Sequence, residues 1–365
     1  MRESPPRRRS DPWKGHGSAS NPASRFDRIR FEAEAAEDVG LEPEDLEPDL
    51  DVRYLRDPSR SIVATNDSPD LGFDASVNPY RGCVHGCSYC YARPTHEFLG
   101  LSAGLDFETR ILVKEDAPAL LRRAFSARSW RPRVVALSGV TDAYQPIERR
   151  LGLTRRCLEV FRDFRNPVAI VTKSRLVVRD ADLLAELARY EAAAVSISIP
   201  TLDPALQRRM EPRAPRPALR LAAIEALARA GVPVGVLVAP VIPGLTEHEL
   251  PAILRAAAEA GARHAGYVVL RLPHGVKDLV DEWLARHYPE RRGKVLKRVR
   301  ALGGGRLYDP RFGARQRGQG PFAEQIAQLF AMGCRRAGIP GAHPALSSAH
   351  FRRPPAGGAA QQALW

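Results

Sequence analysis

The chain has 365 residues, 44% of them hydrophobic and 27% charged, with a formal net charge of +13. That is enough apolar material for a sizeable core, and it excludes a chain disordered overall. No apolar run reaches the roughly 18–20 residues a membrane-spanning helix needs, and no apolar segment follows the basic stretch Met1–Arg9, so neither a membrane nor a secretory leader is expected and a cytoplasmic location is.

Residues 1–60 differ from the rest. The first thirty are mainly basic, and positions 31–51 hold acidic residues and no basic one. Without an apolar period, this stretch reads as a largely disordered arm with one short helix near 31–39. From residue 76 onward, β-branched runs alternate with helical periods. The strands are expected at 76–80, 133–140, 168–172, 193–199, 232–241 and 266–272. Helices are expected at 117–125, 149–164, 181–190, 218–230 and 247–260. Alternation at this spacing implies βα units and a parallel sheet. Six strands are too few for a closed eight-stranded barrel, which leaves a partial barrel or a doubly wound sheet. Both place their sites at the carboxyl ends of the strands. Residues 291–345 form a basic, Gly-rich extension with one helix at 322–334, and 346–365 read as a disordered tail.

Three of the five cysteines fall within eight residues: Cys83, Cys87 and Cys90. Such clustering in a chain without a disulfide framework points to metal. Gly82 and Gly86 let the backbone curl so that three sulfurs converge. Two metal sites suit thiolates here. One is a structural zinc with His85 or His96 as fourth ligand. The other is a [4Fe–4S] cluster with one iron left open. Position favours the cluster, because the motif directly follows the first strand of a βα series. Cys157 and Cys334 lie on apolar helical stripes and read as core.

The spacing Cys-x3-Cys-x2-Cys, with Tyr89 just before the third cysteine, resembles the radical S-adenosylmethionine (SAM) superfamily. Residues 78–93 are similar to its bacterial branch related to spore photoproduct lyase, and the resemblance covers about residues 65–340. It implies an α/β fold, a partial (β/α)6 TIM-like barrel over 65–290. It implies that Cys83, Cys87 and Cys90 hold the cluster and that SAM completes the fourth iron. A reduced cluster would then cleave SAM to a 5′-deoxyadenosyl radical that abstracts hydrogen from substrate, in a lyase- or oxidoreductase-type reaction. A flavodoxin- or ferredoxin-type electron donor is the implied partner. The donor cysteine that spore photoproduct lyases carry in the segment matching 138–142 is missing here, so the resemblance gives the reaction type and not the substrate.

Further candidates sit at strand ends. Ser138, Thr141 and Asp142 offer acceptors for the SAM ammonium, or a helix cap. Ser198 is a candidate for the ribose. Arg213 is the candidate for the SAM carboxylate, since a guanidinium forks onto carboxylates. Glu211 is expected at a ribose hydroxyl or on Arg213, and Tyr89 beside the cofactor. Lys173 ends the third strand, and Arg271 ends the sixth at the expected substrate mouth. Arg306, Arg311 and Arg315 interleave with Tyr308 and Phe312, a pattern that suits single-stranded DNA or RNA or, equally, a loop closing the open side of the barrel. A zinc-stabilised nucleic-acid-binding module and a radical enzyme acting on a peptide or metabolite are the alternatives.

Overall fold

The structure is a computed structural model that describes residues 15–26 and 52–355. The helix expected near 31–39 lies outside the described residues. Ten strands follow in chain order: β1 (Arg53–Arg56), β2 (Val63–Thr65), β3 (Ala75–Val77), β4 (Tyr80–Arg81), β5 (Arg110–Val113), β6 (Val135–Leu137), β7 (Val168–Thr172), β8 (Ala193–Ser198), β9 (Val234–Val241) and β10 (Ala265–Val269). The main sheet runs β10-β9-β8-β7-β6-β3-β2. Its first six members are mutually parallel, and β2 pairs antiparallel with β3 at the edge. Six parallel strands in sequential order, with helices between them, make the expected partial barrel.

Alternation along the strands sorts the two faces. Val135, Leu137, Val168, Ile170, Val195 and Ile197 are buried under the helices. The opposite face carries small residues in register: Ser76 beside Ala136, Ala136 beside Ala169, Ala169 beside Ala194. Apolar packing of the first face supplies the driving force, about 1.5–3 kcal/mol per fully buried aliphatic side chain. The small residues of the second face leave the lumen open.

The helix expected at 149–164 is two pieces, Glu148–Leu151 and Leu153–Phe164, divided at Gly152 with φ +60°. Glu148 bridges the break by accepting the Thr154 backbone N–H at 3.0 Å. A second sheet, β1-β5-β4, stands beside the barrel. β1 falls within the span expected to be a disordered arm, because Tyr54 and Leu55 are buried and the strand pairs with β5. Residues 15–26 also depart from that expectation: they lie against the barrel, with Ser102 Oγ donating to Pro22 O at 2.8 Å. The expected boundary at 290/291 falls inside helix Pro289–Leu302. Residues 347–353 are held too: Ser347 N–H bonds Glu191 O and Arg352 N–H bonds Phe164 O, both at 2.9 Å. Among the described residues, no helix is long and apolar enough to cross a membrane.

Candidate active site

The three-cysteine loop leaves the carboxyl end of β3 through β4. Gly82 and Gly86 take φ of +81° and +65°, the left-handed region expected of them. A Cβ on Gly86 would fall 2.6 Å from Glu108 Oε2 and 2.8 Å from Arg213 Nη2, so a close approach as well as the dihedral requires glycine there. The loop is pinned from several sides. Cys83 N–H donates to Phe107 O at 2.9 Å, and Ser88 N–H to Met210 O at 3.0 Å. Val84 N–H donates to the Gln145 side chain at 3.0 Å. The buried Arg93 donates to Cys87 O at 3.0 Å and to Glu108 Oε1 at 2.5 Å. Glu108 takes Arg213 on its other oxygen, at 2.9 Å. One buried carboxylate between two guanidiniums thus fastens both ends of the loop. Their positive charges outweigh burial and hold its pKa below the ordinary range.

Cys83 and Cys87 are buried and Cys90 is partly so. Burial pushes the Cys87 thiol well up; Lys173 opposes, while Glu211, Cys90 and Cys83 add to the rise. Burial raises Cys90 as well. At Cys83 the burial effect is overcome by His85, and the thiol sits below its usual value. Burial would lower His85, but the Cys83 charge and Asp142 lift it to about 9. The three thiols therefore share one electrostatic site, and a bound cationic centre is what would make all three thiolates.

This donor set fits a three-ligand iron–sulfur cluster. Cys157 and Cys334 are buried in the main hydrophobic core, as expected, so neither joins the loop. Of the two histidines considered as zinc ligands, His85 lies beside Cys83 and His96 is bonded away from the three thiols. His85 Nδ1 faces Asp142 Oδ2 at 3.4 Å, and His96 Nε2 bonds Arg110 O at 2.9 Å. Among the described residues, no group of three or more His, Cys, Asp or Glu side chains is set to hold a metal ion directly.

Behind Cys87 lies a second buried network that sequence reasoning saw only in part. Glu211 accepts from Arg220 on one oxygen and from the Tyr89 hydroxyl on the other. Arg220 also donates to Ser198 O and Pro215 O, both at 2.8 Å. Lys173 Nζ stands 4.0 Å from Glu211 Oε1 and 5.9 Å from the Tyr89 ring centroid. Its side chain is mostly buried, so it is not a solvated strand-end lysine.

The side chains expected at the cofactor are also bonded within the protein. Arg213 does not offer a free fork: it binds Glu108, Val84 O and Gly15 O. Glu211 pairs with Arg220 and not with Arg213. Ser198 Oγ donates to Ala239 O at 3.1 Å. Ser138 Oγ bonds Thr141 O and accepts the Ala143 N–H at 2.9 Å, and Thr141 Oγ1 reaches Tyr80 O at 3.2 Å. Asp142 ties two strand ends together by accepting from Thr172 Oγ1 at 2.7 Å and from Lys173 N–H at 2.8 Å. The cap reading does not hold either, because helix Glu148–Leu151 starts from Ile147 without a side-chain cap; Ser138 braces the 138–143 turn that frames the site. Arg93, Glu108, Gln145 and Arg220 were missed, because nothing in the sequence marks which of 49 arginines is buried.

Residues 77–257 match the Radical SAM superfamily model, and the chain thus carries a radical SAM domain. That superfamily uses a [4Fe–4S] cluster and SAM. An uncharacterized protein of Mycobacterium tuberculosis is 40% identical over 222 residues, covering 60% of this chain and 65% of that one. The match therefore spans a little under two thirds of that relative's length. An uncharacterized protein of Methanocaldococcus jannaschii is 32% identical over 173 residues, covering 47% of this chain and 62% of its own. Among solved structures, spore photoproduct lyase complexed with dinucleoside spore photoproduct superposes with a TM-score of 0.54 at 16% identity, over 79% of this chain and 80% of that one. A mutant of that lyase with bound AdoMet and the same dinucleoside gives 0.56 at 18%, over 79% and 81%. These two likenesses establish a shared fold.

Proposed function

We propose that the protein is a radical SAM enzyme whose substrate is a nucleic acid. The observation that carries the first half is the seat of the three thiols: one glycine-curled loop at the carboxyl end of the first parallel strand, opening on a lumen of small residues. When bound and reduced, a [4Fe–4S] cluster supplies the electron that splits SAM into methionine and a 5′-deoxyadenosyl radical. The protein's part is placement and exclusion of water. Arg93, Gln145 and Arg213 hold the loop's carbonyls and N–H groups and so fix its backbone path. Lys173 brings a positive charge beside Cys87 that offsets the thiolates. A small flavodoxin- or ferredoxin-type protein is the proposed electron donor.

Charge supports the nucleic-acid half. The chain carries +13. Helix Pro289–Leu302 presents Arg291, Lys294 and Lys297 to solvent. Its basic side chains line a cleft of about 440 Å³ with Gly244, Glu247 and His248, in the loop that follows β9. That is the carboxyl-end rim, where such a barrel works. Anaerobic reconstitution followed by metal and sulfide analysis tests the cofactor assignment. Four irons and four sulfides per chain are expected on the family's chemistry. A folded protein holding one zinc and no sulfide would contradict it.

A further inference from the structure

Arg271 follows the end of β10 at the barrel mouth. Its guanidinium carbon lies 4.8 Å from the centroid of the Tyr91 ring. Tyr91 follows Cys90 directly and is itself fixed, with its hydroxyl donating to Gly139 O at 2.7 Å. Arg271 is therefore held beside the cysteine loop by a cation–π contact. Its Nε is buried and has no hydrogen-bond partner. Asp70, a carboxylate whose charge it feels, is already occupied. One Asp70 oxygen accepts the Gly313 N–H at 2.5 Å and the other accepts Arg315 Nε at 2.6 Å. A buried donor without an acceptor is uncommon and calls for a partner.

The lumen beside it has room for one. Ser76, Ala136, Ala169 and Ala194 stand side by side across four strands, and Val171, on the same face of β7 as Ala169, is 39% exposed. Small side chains and an accessible mid-sheet valine describe a lumen open to solvent.

We infer that Arg271 is a substrate subsite that binds a phosphate of a nucleic-acid strand and so places the neighbouring nucleoside in the lumen beside Cys90. This rests on the reading of the protein as a radical SAM enzyme acting on nucleic acid. A planar guanidinium matches two phosphate oxygens. A nucleotide reaches the inside of a barrel as single strand or by extrusion from a duplex. The rim cleft around Arg291 and Lys294 would then take phosphates further along the strand.

The test is binding of a fluorescein-labelled single-stranded dodecamer to the reconstituted full-length protein, followed by anisotropy between about 50 and 200 mM KCl. Arg271→Met should weaken binding roughly tenfold and lower the slope of log K against log salt by about one. Arg271→Lys keeps the charge and loses the fork, so it should keep the slope with an affinity between the two; it carries the test if the methionine variant does not fold. Equal affinity of wild type and both variants at every salt concentration would overturn the subsite. So would a loss confined to SAM binding, measured by equilibrium dialysis. A wild type that makes no 5′-deoxyadenosine, while Arg271→Met still loses oligonucleotide affinity, would sink the radical reading and keep the subsite.

Discussion

Arg315 Nε lies 2.6 Å from Asp70 Oδ2, and this ion pair joins the C-terminal third of the chain to the β2–β3 edge of the sheet. Two residues on, Arg317 stacks over Tyr267 of β10 at 3.9 Å. The loop therefore reaches from one edge of the open sheet to the other. This geometry is that of the closing loop, one of the two readings, with Arg315 held in an ion pair. Arg311 is likewise held by Asp309 at 2.6 Å, while Phe312 is exposed.

Replacing Arg315 with Met should consequently lower the thermal unfolding midpoint and leave oligonucleotide affinity within about twofold of wild type. Calorimetry and anisotropy on the same samples check it. A large loss of affinity with an unchanged midpoint would return this arginine to the nucleic-acid interface.

Glu108→Gln should be far more damaging. It leaves the guanidiniums of Arg93 and Arg213 without their shared carboxylate, and breaking a buried pair in this way costs about 3–5 kcal/mol. The cysteine loop loses its fastening at the same time, so bound iron should fall with stability. Urea unfolding and iron content measured together would show both losses. Full iron occupancy at wild-type stability would mean the loop is held some other way.

Tyr89→Phe separates a bracing role from a ligand role. The hydroxyl bonds the buried Glu211. Its loss should cost about 1–2 kcal/mol of stability while iron content stays at wild type. Unfolding curves and metal analysis of the one variant decide it, and loss of iron with unchanged stability would give Tyr89 a direct part in cofactor binding.

Acid should weaken the fold before the carboxylates titrate. His96 and His264 are buried, and burial above all holds each at about 4. The unfolded chain, with histidines near 6.5, takes up protons that the folded one refuses. Stability from these groups is thus complete above about pH 7, falls as pH drops below 6.5, and levels off below 4. Each histidine should account for about 2 kcal/mol lost between pH 7 and pH 5. Urea unfolding of His264→Asn at the two pH values should show a smaller loss than wild type. An identical loss would place the acid sensitivity elsewhere.

The six barrel strands were legible because each is a short apolar run bounded by a helical period, and Val168–Thr172 matches residue for residue. Strands β1 and β5 were not, because four-residue strands among arginines carry no clear alternation. The helix Val276–His287 was missed for a similar reason, its apolar residues being interleaved with charge. At the site, the cysteines declared themselves by spacing. Arg213 and Glu211 drew attention by lying two residues apart, yet they serve different networks, because their true partners, Glu108 and Arg220, are fixed by tertiary packing. Spacing along a chain reports which groups share a loop, and it is silent on which carboxylate a buried guanidinium meets.

The central claim is tested most directly by 5′-deoxyadenosine. Anaerobically reconstituted protein, reduced with dithionite in the presence of SAM, should release it. Cys83→Ala, Cys87→Ala and Cys90→Ala should each reduce its release to background, whereas Cys157→Ala should not. Release by the three loop variants at the wild-type rate, or none from an iron-loaded wild type, would contradict the account.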